Sequence, residues 1–149
     1  MKILVDTSVW SLALRRKTPP DNPFVHELSE LIKERRVQMM GPIRQEILSG
    51  IKEETQFKAL QKHLTAFPDL ELTTADYERA AEFFNTNRRK GIQGSNTDFL
   101  ICAVAERYDM AILTTDDDFK LFQQHIPITL HQPRFEDDDE PQQSTETAA

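Results

Sequence analysis

Four acidic residues in separate segments of the chain are the candidates for chemistry. They are Asp6, Glu46, Asp98 and Asp116. If they converge they repel one another, since two unit charges about 4 Å apart cost roughly 4 kcal/mol at an effective dielectric constant near 20. Such a cluster needs protons or a divalent cation, and oxygen ligands suit Mg²⁺ or Mn²⁺. Because these cations activate water and stabilise charge on a phosphoryl group, the four acids indicate phosphodiester hydrolysis.

The predicted strands explain why these acids should converge. Asp6 ends an apolar, β-branched run at the N-terminus, and Asp116 lies just after the apolar run 110–114. The carboxyl ends of strands in an open α/β sheet form the edge where ligands gather, so we expect both acids there. Asp98 opens a helix that leads into the second run, and Glu46 lies on the helix after another strand. Both can therefore project toward the same edge.

The whole chain alternates predicted strands with predicted helices. Apolar or β-branched runs predict strands over residues 2–5, 37–40, 70–72, 110–114 and 126–130. Apolar residues at helical spacing, with Gly, Pro or capping residues at the ends, predict helices over 9–14, 23–36, 41–50, 54–67, 74–90, 98–108 and 119–124. This alternation predicts an α/β fold with a mainly parallel central sheet flanked by helices. We also expect Glu78 to be the capping-box partner of Thr73 or Thr74.

Each acid also has a structural interpretation. Asp6 can cap the end of a strand, Glu46 can be a solvated helix acid, and Asp98 can belong to the start of a helix. Asp116, with the two aspartates after it, can form an N-cap and first helical turn, where acids are favoured. Any one of these residues taken alone is more often structural than catalytic, so the functional interpretation depends on all four converging.

The composition is that of an ordinary globular protein with one domain. Hydrophobic residues make up 38% and charged residues 29% of the 149 residues, which is enough for a single core. No apolar run approaches the roughly 18 residues that a membrane span needs, and Asp6 comes too early for a secretory signal. Cys102 is the only cysteine, and we expect it to be a small buried residue. Since no internal disulfide can form, we expect a cytoplasmic protein.

The net charge of −7 is concentrated at the C-terminus. Residues 136–149 carry six acids and no base, which leaves 19 acids against 18 bases in the rest of the chain. The overall charge therefore neither supports nor excludes a nucleic-acid partner. We expect one domain over residues 1–133 and an acidic, disordered tail over 134–149, because the tail has no apolar pattern. We expect that tail to be dispensable for catalysis.

Four segments resemble the four motifs of PIN domains in their order and spacing. They are Val5-Asp6-Thr7-Ser8-Val9-Trp10, Arg44-Gln45-Glu46-Ile47-Leu48-Ser49-Gly50-Ile51, Asn96-Thr97-Asp98-Phe99-Leu100-Ile101 and Leu113-Thr114-Thr115-Asp116-Asp117-Asp118-Phe119. The resemblance covers about residues 2–130 and is strongest to VapC-type toxins of prokaryotic toxin–antitoxin pairs. It implies a PIN-like fold and an endoribonuclease that depends on Mg²⁺ or Mn²⁺.

The resemblance also implies roles for individual residues. It assigns catalytic and metal-binding roles to the four acids named first. Asp118 matches a frequently acidic position and is a candidate further ligand, whereas Asp117 departs from the pattern by adding a third acid in a row. Thr7, Ser8 and Thr114 match polar positions that can steady a ligand or a bound water.

The same resemblance implies partners. The chain is expected to act on RNA as the toxin of a type II toxin–antitoxin system, to pair as a homodimer, and to be controlled by a small cognate antitoxin. Sequence-specific RNA recognition usually targets single-stranded loops, so we expect a structured RNA with such a loop. A housekeeping PIN nuclease, a non-catalytic PIN interaction module and an aspartyl-phosphate enzyme remain alternatives. The last usually has a second aspartate two residues after the first, where this chain has Ser8.

Basic clusters are the candidates for holding the RNA backbone. Arg88, Arg89 and Lys90 are preferred, because the loop that follows them leads directly to one of the four acids. Arg15 and Arg16 form a second cluster. Each cluster can equally be a solvated helix end that complements the helix dipole. The four histidines lie in helical or terminal contexts and are expected to be structural or exposed.

Overall fold

The structure is a computed structural model that describes residues 1–15, 18–19 and 21–134. Its elements in chain order are β1 (Ile3–Val5), α1 (Thr7–Leu14), α2 (Pro23–Lys33), β2 (Val37–Met40), α3 (Gly41–Leu48), α4 (Glu54–Leu64), β3 (Asp69–Leu70), α5 (Thr74–Arg89), α6 (Asn96–Arg107), β4 (Ala111–Leu113), α7 (Asp118–Gln123) and β5 (Thr129–Leu130). Within these residues no helix combines the length and apolar character that crossing a membrane requires.

The five strands form one parallel sheet in the order β3-β2-β1-β4-β5. In the central strand, Ile3 is paired with Val37 of β2 on one side and with Ala111 of β4 on the other. The chain builds outward from β1 through β2 and β3, and then returns to add β4 and β5 on the opposite side. The strand order therefore reverses between β1 and β4, and ligands of open α/β sheets bind in the crevice at such a point. The predicted α/β fold with a parallel sheet is confirmed.

Aromatic packing anchors two of the acid-bearing segments to the core. Phe99, Phe119 and Phe122 are each at most 1% exposed. The Phe99 and Phe122 ring centroids lie 4.6 Å apart, and those of Phe119 and Phe122 lie 5.2 Å apart. Since Phe99 directly follows Asp98, and Phe119 directly follows Asp118, this cluster fixes the starts of α6 and α7 relative to each other.

Two ion pairs fasten α5 to α6. Arg79 donates to both carboxylate oxygens of Glu106, at 2.8 and 2.9 Å. Arg107 donates to both oxygens of Asp76, at 2.6 and 2.8 Å. Such bidentate pairs fix orientation as well as distance, so they set the position of α6, whose first turn carries one of the candidate acids.

The predicted partner in the capping box of α5 was wrong. The Thr73 backbone N–H donates to Asp76 at 2.9 Å, which makes Asp76 the acid of the box. A capping box uses the third residue of the helix. With Thr73 as the N-cap that residue is Asp76, whereas Glu78 lies two positions too far along.

The contacts of the domain reach Arg134, one residue beyond the predicted boundary at residue 133. The Arg134 guanidinium binds Glu27 of α2 at 2.9 Å and Glu34 at 2.8 Å. The rest of the predicted tail, residues 135–149, lies outside the described residues, and so does Arg16.

Replacing Gly94 with alanine should destabilise the fold by about 1–3 kcal/mol, because it overpacks the aromatic cluster. A Cβ at Gly94 would lie 2.6 Å from Phe122 Cζ and 2.9 Å from Phe99 Cε2. The matched control is Gly41→Ala, since a Cβ at Gly41 meets no atom within 4 Å. Denaturant unfolding of both variants tests this, and equal stability of the two would contradict it.

Candidate active site

Asp6 lies at the centre of the carboxyl edge of the sheet, where β1 ends. Its backbone N–H donates to the Leu113 carbonyl of β4 at 2.9 Å, so the strand ladder itself places it between two strands. The hydroxyl groups of Ser8 and Thr114 both donate to Asp6 Oδ2 at 2.8 Å. Asp6 is only 6% exposed and is the N-cap residue of α1, but it makes no side-chain capping bond to that helix. Its carboxylate is therefore oriented by the two hydroxyls.

Asp116 lies in the loop between β4 and α7 and is tied to Asp6 through one threonine. The Asp116 backbone N–H donates to Thr114 Oγ1 at 3.0 Å, while the same hydroxyl donates to Asp6. The backbone N–H of Asp118 donates to Asp116 Oδ1 at 2.9 Å. The Asp118 side chain is exposed in the first turn of α7. Asp118 thus supports Asp116 through its backbone.

Asp98 is the third residue of α6, which begins two residues earlier than the sequence predicts. Its Oδ2 accepts from the Ser95 backbone N–H at 3.0 Å, and its own N–H donates to the Ser95 hydroxyl at 3.1 Å. These two bonds form a capping box. Asp98 Oδ2 therefore has the structural role at the start of a helix, whereas Asp98 Oδ1 takes no part in the capping box.

Glu46 is exposed on α3. One hydrogen bond holds its side chain, and contacts of Arg44 hold the helix. The Thr7 hydroxyl donates to Glu46 Oε1 at 2.6 Å. Arg44, two residues before Glu46 on the same helix, donates to the Leu64 carbonyl and to Asp69, each at 3.0 Å. These contacts attach α3 to the end of α4 and the start of β3, so they fix the helix that presents Glu46.

The four carboxylates share a hydrogen-bonding pattern. The bonds described above, which are 2.6 to 3.0 Å long, engage one particular oxygen of each carboxylate. An ionised carboxylate has about four acceptor sites on its two oxygens. One oxygen can therefore set the direction of the group while the second accepts a further ligand.

Burial and repulsion among three of the acids raise the pKa of two of them. Burial is the main cause that raises the pKa of Asp6 and of Asp98 above the ordinary value. Repulsion from Asp116 raises both further, and Asp98 is also repelled by Asp6. Hydrogen bonds to the two carboxylates offset these effects only in part. The structure thus brings Asp6, Asp98 and Asp116 within range of mutual repulsion.

None of the four acids is held in an ion pair within the described residues. Among them, no Lys, Arg or His forms an ion pair with any of the four. In the same residues, no three His, Cys, Asp or Glu side chains stand close enough together to hold one ion as they are placed. The donors are carboxylate and hydroxyl oxygens, which suit a hard divalent cation such as Mg²⁺ or Mn²⁺, so their chemistry fits that cation.

Cys102 lies behind the acids in the core. It is fully buried, as expected. Burial raises the pKa of its thiol, and repulsion from Asp98 and Asp6 raises it further. The side chain therefore stays a neutral thiol, which is a poor nucleophile.

The basic residues that were predicted to contact RNA and that the structure describes are exposed. Arg88, Arg89 and Lys90 lie at the C-terminal end of α5, before the loop that leads into the first turn of α6. The Arg88 guanidinium lies 6.0 Å from the centre of the Phe84 ring. Arg15 is exposed directly after α1. The first cluster is thus attached to the segment that carries Asp98.

A buried network beside Asp116 was not predicted from the sequence. Glu27 of α2 is fully buried and binds His131 and Arg134. A signal was present, because Glu27 falls on the apolar face of α2 between Phe24 and Leu31 at helical spacing. An acid on such a face must be paired.

Comparison with known proteins identifies the family to which the chain belongs. The PIN domain model matches residues 3–123. A VapC ribonuclease of Mycobacterium bovis and ribonuclease VapC11 of Mycobacterium tuberculosis are each 33% identical to this chain over 121 residues. Each alignment covers 78% of this chain and 88% of the relative.

Solved structures share the fold. FitAcB from Neisseria gonorrhoeae matches with a TM-score of 0.70 at 21% identity, over 88% of this chain and 97% of that one. VapBC2 from Rickettsia felis, bound to a DNA fragment from its promoter, matches with a TM-score of 0.70 at 19% identity, over 88% and 98%. At these identities the similarity shows the fold alone, but the family match and the mycobacterial relatives cover most of the chain. The chain is a member of the PIN-domain family, of the VapC ribonuclease type.

Proposed function

We propose that this chain is a divalent-metal-dependent endoribonuclease that acts as the toxin of a type II toxin–antitoxin pair. The observation that carries the proposal is that Asp6, Asp98 and Asp116 lie within range of mutual repulsion near the edge where the strand order reverses, and that none of them forms an ion pair within the described residues. The mycobacterial relatives are named as ribonucleases, which supports RNA as the substrate class.

The chain's residues divide into ligands and residues that orient them. The side chains that would hold Mg²⁺ or Mn²⁺ are Asp6, Glu46, Asp98 and Asp116, with Asp118 as a candidate further ligand. When bound, such a cation supplies water activation and neutralises charge at the RNA phosphate. Ser8 and Thr114 orient the carboxylate at the end of β1, and Thr7 orients the one on α3. These hydroxyls hold the acids in position before substrate arrives.

Residues outside the acid cluster would hold the substrate. Arg88, Arg89 and Lys90 would bind backbone phosphates, with Arg15 and Arg16 as a second contact, because phosphate contacts fix the register of a nucleic acid. We place the catalytic domain at residues 1–133, with Arg134 attached to it through Glu27 and Glu34, and assign no catalytic role to the acidic residues that follow. The expected substrate is a structured RNA with a single-stranded loop.

A small antitoxin would control the activity, and the toxin itself would pair as a homodimer in the cytoplasm. A solved toxin–antitoxin complex from Klebsiella pneumoniae shares the fold, with a TM-score of 0.57 at 18% identity. An antitoxin segment can lay an apolar helix in a groove of the domain. It can also extend an Arg or Lys to the unbalanced acids, which would exclude the cation or the RNA.

Expression of the intact chain alone should arrest the growth of its host. Co-expression with the small protein encoded beside it should restore growth, and the Asp6→Asn form should be harmless yet still bind that protein. Growth curves and co-purification measure these outcomes. An intact chain that is harmless while folded and supplied with metal, and that binds no such neighbour, would favour a housekeeping PIN nuclease.

A further inference from the structure

A cavity of about 80 Å³ opens beside Asp116. One wall is the loop 114–117, which carries that acid. The residues that line it outside this loop include Phe24, Lys120, Leu130, His131 and Gln132. A single water molecule needs roughly 10–15 Å³, so the cavity has room for one planar ring. The cavity therefore adjoins the candidate active site, with which it shares the loop 114–117.

The side chain of His131, which lines this cavity, is held in place by the buried acid Glu27. Glu27 is 0% exposed, and its Oε2 lies 2.5 Å from His131 Nε2. Arg134 donates to the same oxygen at 2.9 Å. The backbone N–H of His131 also donates to the Ile112 carbonyl at 2.8 Å, which attaches it to β4. A buried carboxylate is costly unless it is paired, so this network gives the ring one fixed position beside the catalytic loop.

The lining has the chemistry of a nucleotide site. Phe24 and His131 are ring side chains of the kind on which unpaired bases stack. Gln132 carries an amide that can both donate to and accept from the edge of a base. Lys120 is 67% exposed, and its ion pair with exposed Asp117 at 3.3 Å is a surface pair of the kind that contributes little, so a phosphate at the mouth can compete for the Lys120 charge.

We propose that this cavity binds one unpaired base of the RNA, next to the bond that is cut, and thereby sets the nucleotide preference of cleavage. The proposal rests on the ribonuclease function proposed above. An RNA base is favoured over a peptide, because the cavity is short, has polar groups and a cation, and opens on the loop that carries Asp116.

The first test is the base preference of the full chain. A pool of RNA hairpins with a randomised single-stranded loop is incubated with the chain, and the RNA ends are sequenced. Gln132→Ala and Phe24→Leu should flatten the preference at one position next to the cut by about tenfold, as expected for loss of stacking or of an edge contact. The matched controls Gln61→Ala and Phe57→Leu, both on α4, should keep it.

The second test is binding without cleavage. In the Asp98→Asn background, fluorescence anisotropy measures the affinity for labelled hexamers of A, C or U. One hexamer should bind about tenfold more tightly than the weakest, and Gln132→Ala or Phe24→Leu should remove that difference. Thermal unfolding checks that each variant is folded.

The outcomes separate the two proposals. Cleavage and binding preferences that survive both cavity substitutions overturn the base subsite. If the unmodified chain cuts no RNA but base discrimination in binding still depends on the cavity, the ribonuclease function fails and the subsite stands. If the cavity variants lose only antitoxin binding and keep the RNA preference, the cavity is a peptide site and the proposal is wrong.

Discussion

Replacing Asp98 or Asp6 with asparagine is expected to reduce RNA cleavage by roughly a hundred- to a thousandfold, the range found when one preorganised electrostatic group is removed from an active site. Each substitution keeps the size of the side chain but removes a charge that would hold the cation. Asn can still accept the capping bond from Ser95 or the hydroxyl bonds from Ser8 and Thr114, so the fold should remain. Initial rates on a labelled RNA, with circular dichroism of each variant, measure this effect.

The same substitutions should raise stability in metal-free buffer. Burial and mutual repulsion raise the pKa of Asp6 and Asp98, so the ionised forms destabilise the folded state above those raised values. The gain from Asp→Asn should therefore be present at neutral pH and fade as pH falls toward the ordinary value of 3.8. Each kcal/mol relieved shifts the melting temperature by roughly 2–4 °C.

Adding Mn²⁺ to the intact chain and to the two variants tests whether these acids hold a cation. It should raise the melting temperature of the intact chain, because a ligand that binds only the folded state stabilises it. It should have little effect on Asp6→Asn or Asp98→Asn. A variant that is inactive but gains as much from Mn²⁺ as the intact chain would place the metal elsewhere.

The second large effect concerns Glu27. Glu27→Ala should lower the free energy of unfolding by about 3 kcal/mol, because it breaks a buried pair and leaves His131 and Arg134 without their carboxylate. Glu34→Ala is the control, since Glu34 also binds Arg134 but lies at the surface, where ion pairs contribute little. Denaturant unfolding at neutral pH should rank Glu27→Ala far below Glu34→Ala.

The pH dependence of this effect has a defined sign. Burial alone would raise the pKa of Glu27, but hydrogen bonds and charge from His131 and Arg134 outweigh it and hold the pKa below its ordinary 4.5. The ionised carboxylate therefore stabilises the fold above pH 4.5, and that contribution is lost as pH falls through the lowered value. The difference between the intact chain and Glu27→Ala should shrink in acid. A difference that instead grows below pH 4 would contradict the pairing.

Much of the fold could be predicted because its determinants are local. The strands at the centre of the sheet are apolar runs, and their ends place Asp6 and Asp116 at one edge by topology alone. Predicted helix ends were less accurate. Helix α6 was expected to begin at Asp98 after a cap at Ser95, Asn96 or Thr97. Ser95 is the N-cap and the helix begins at Asn96, because Ser95 and Asp98 form a capping box.

Contacts between distant segments could not be predicted in the same way. Thr7 and Glu46 are 39 residues apart, and Glu27 and His131 are 104 apart. No local pattern encodes such pairs, since each depends on the final packing of helices against the sheet. His131 was expected to be structural or exposed, and its place in a cavity wall follows only from the register of β5 beside β4.

The most direct test of the catalytic site is the metal dependence of RNA cleavage by the purified full chain. A labelled RNA is incubated with the protein and Mn²⁺, then with excess EDTA, and then with Mn²⁺ restored, with Asp98→Asn alongside. We expect cleavage with Mn²⁺, its loss in EDTA, its return when Mn²⁺ is restored, and almost none from the variant throughout. Cleavage at an undiminished rate in excess EDTA would contradict a function in which Asp6, Glu46, Asp98 and Asp116 act by holding a divalent cation.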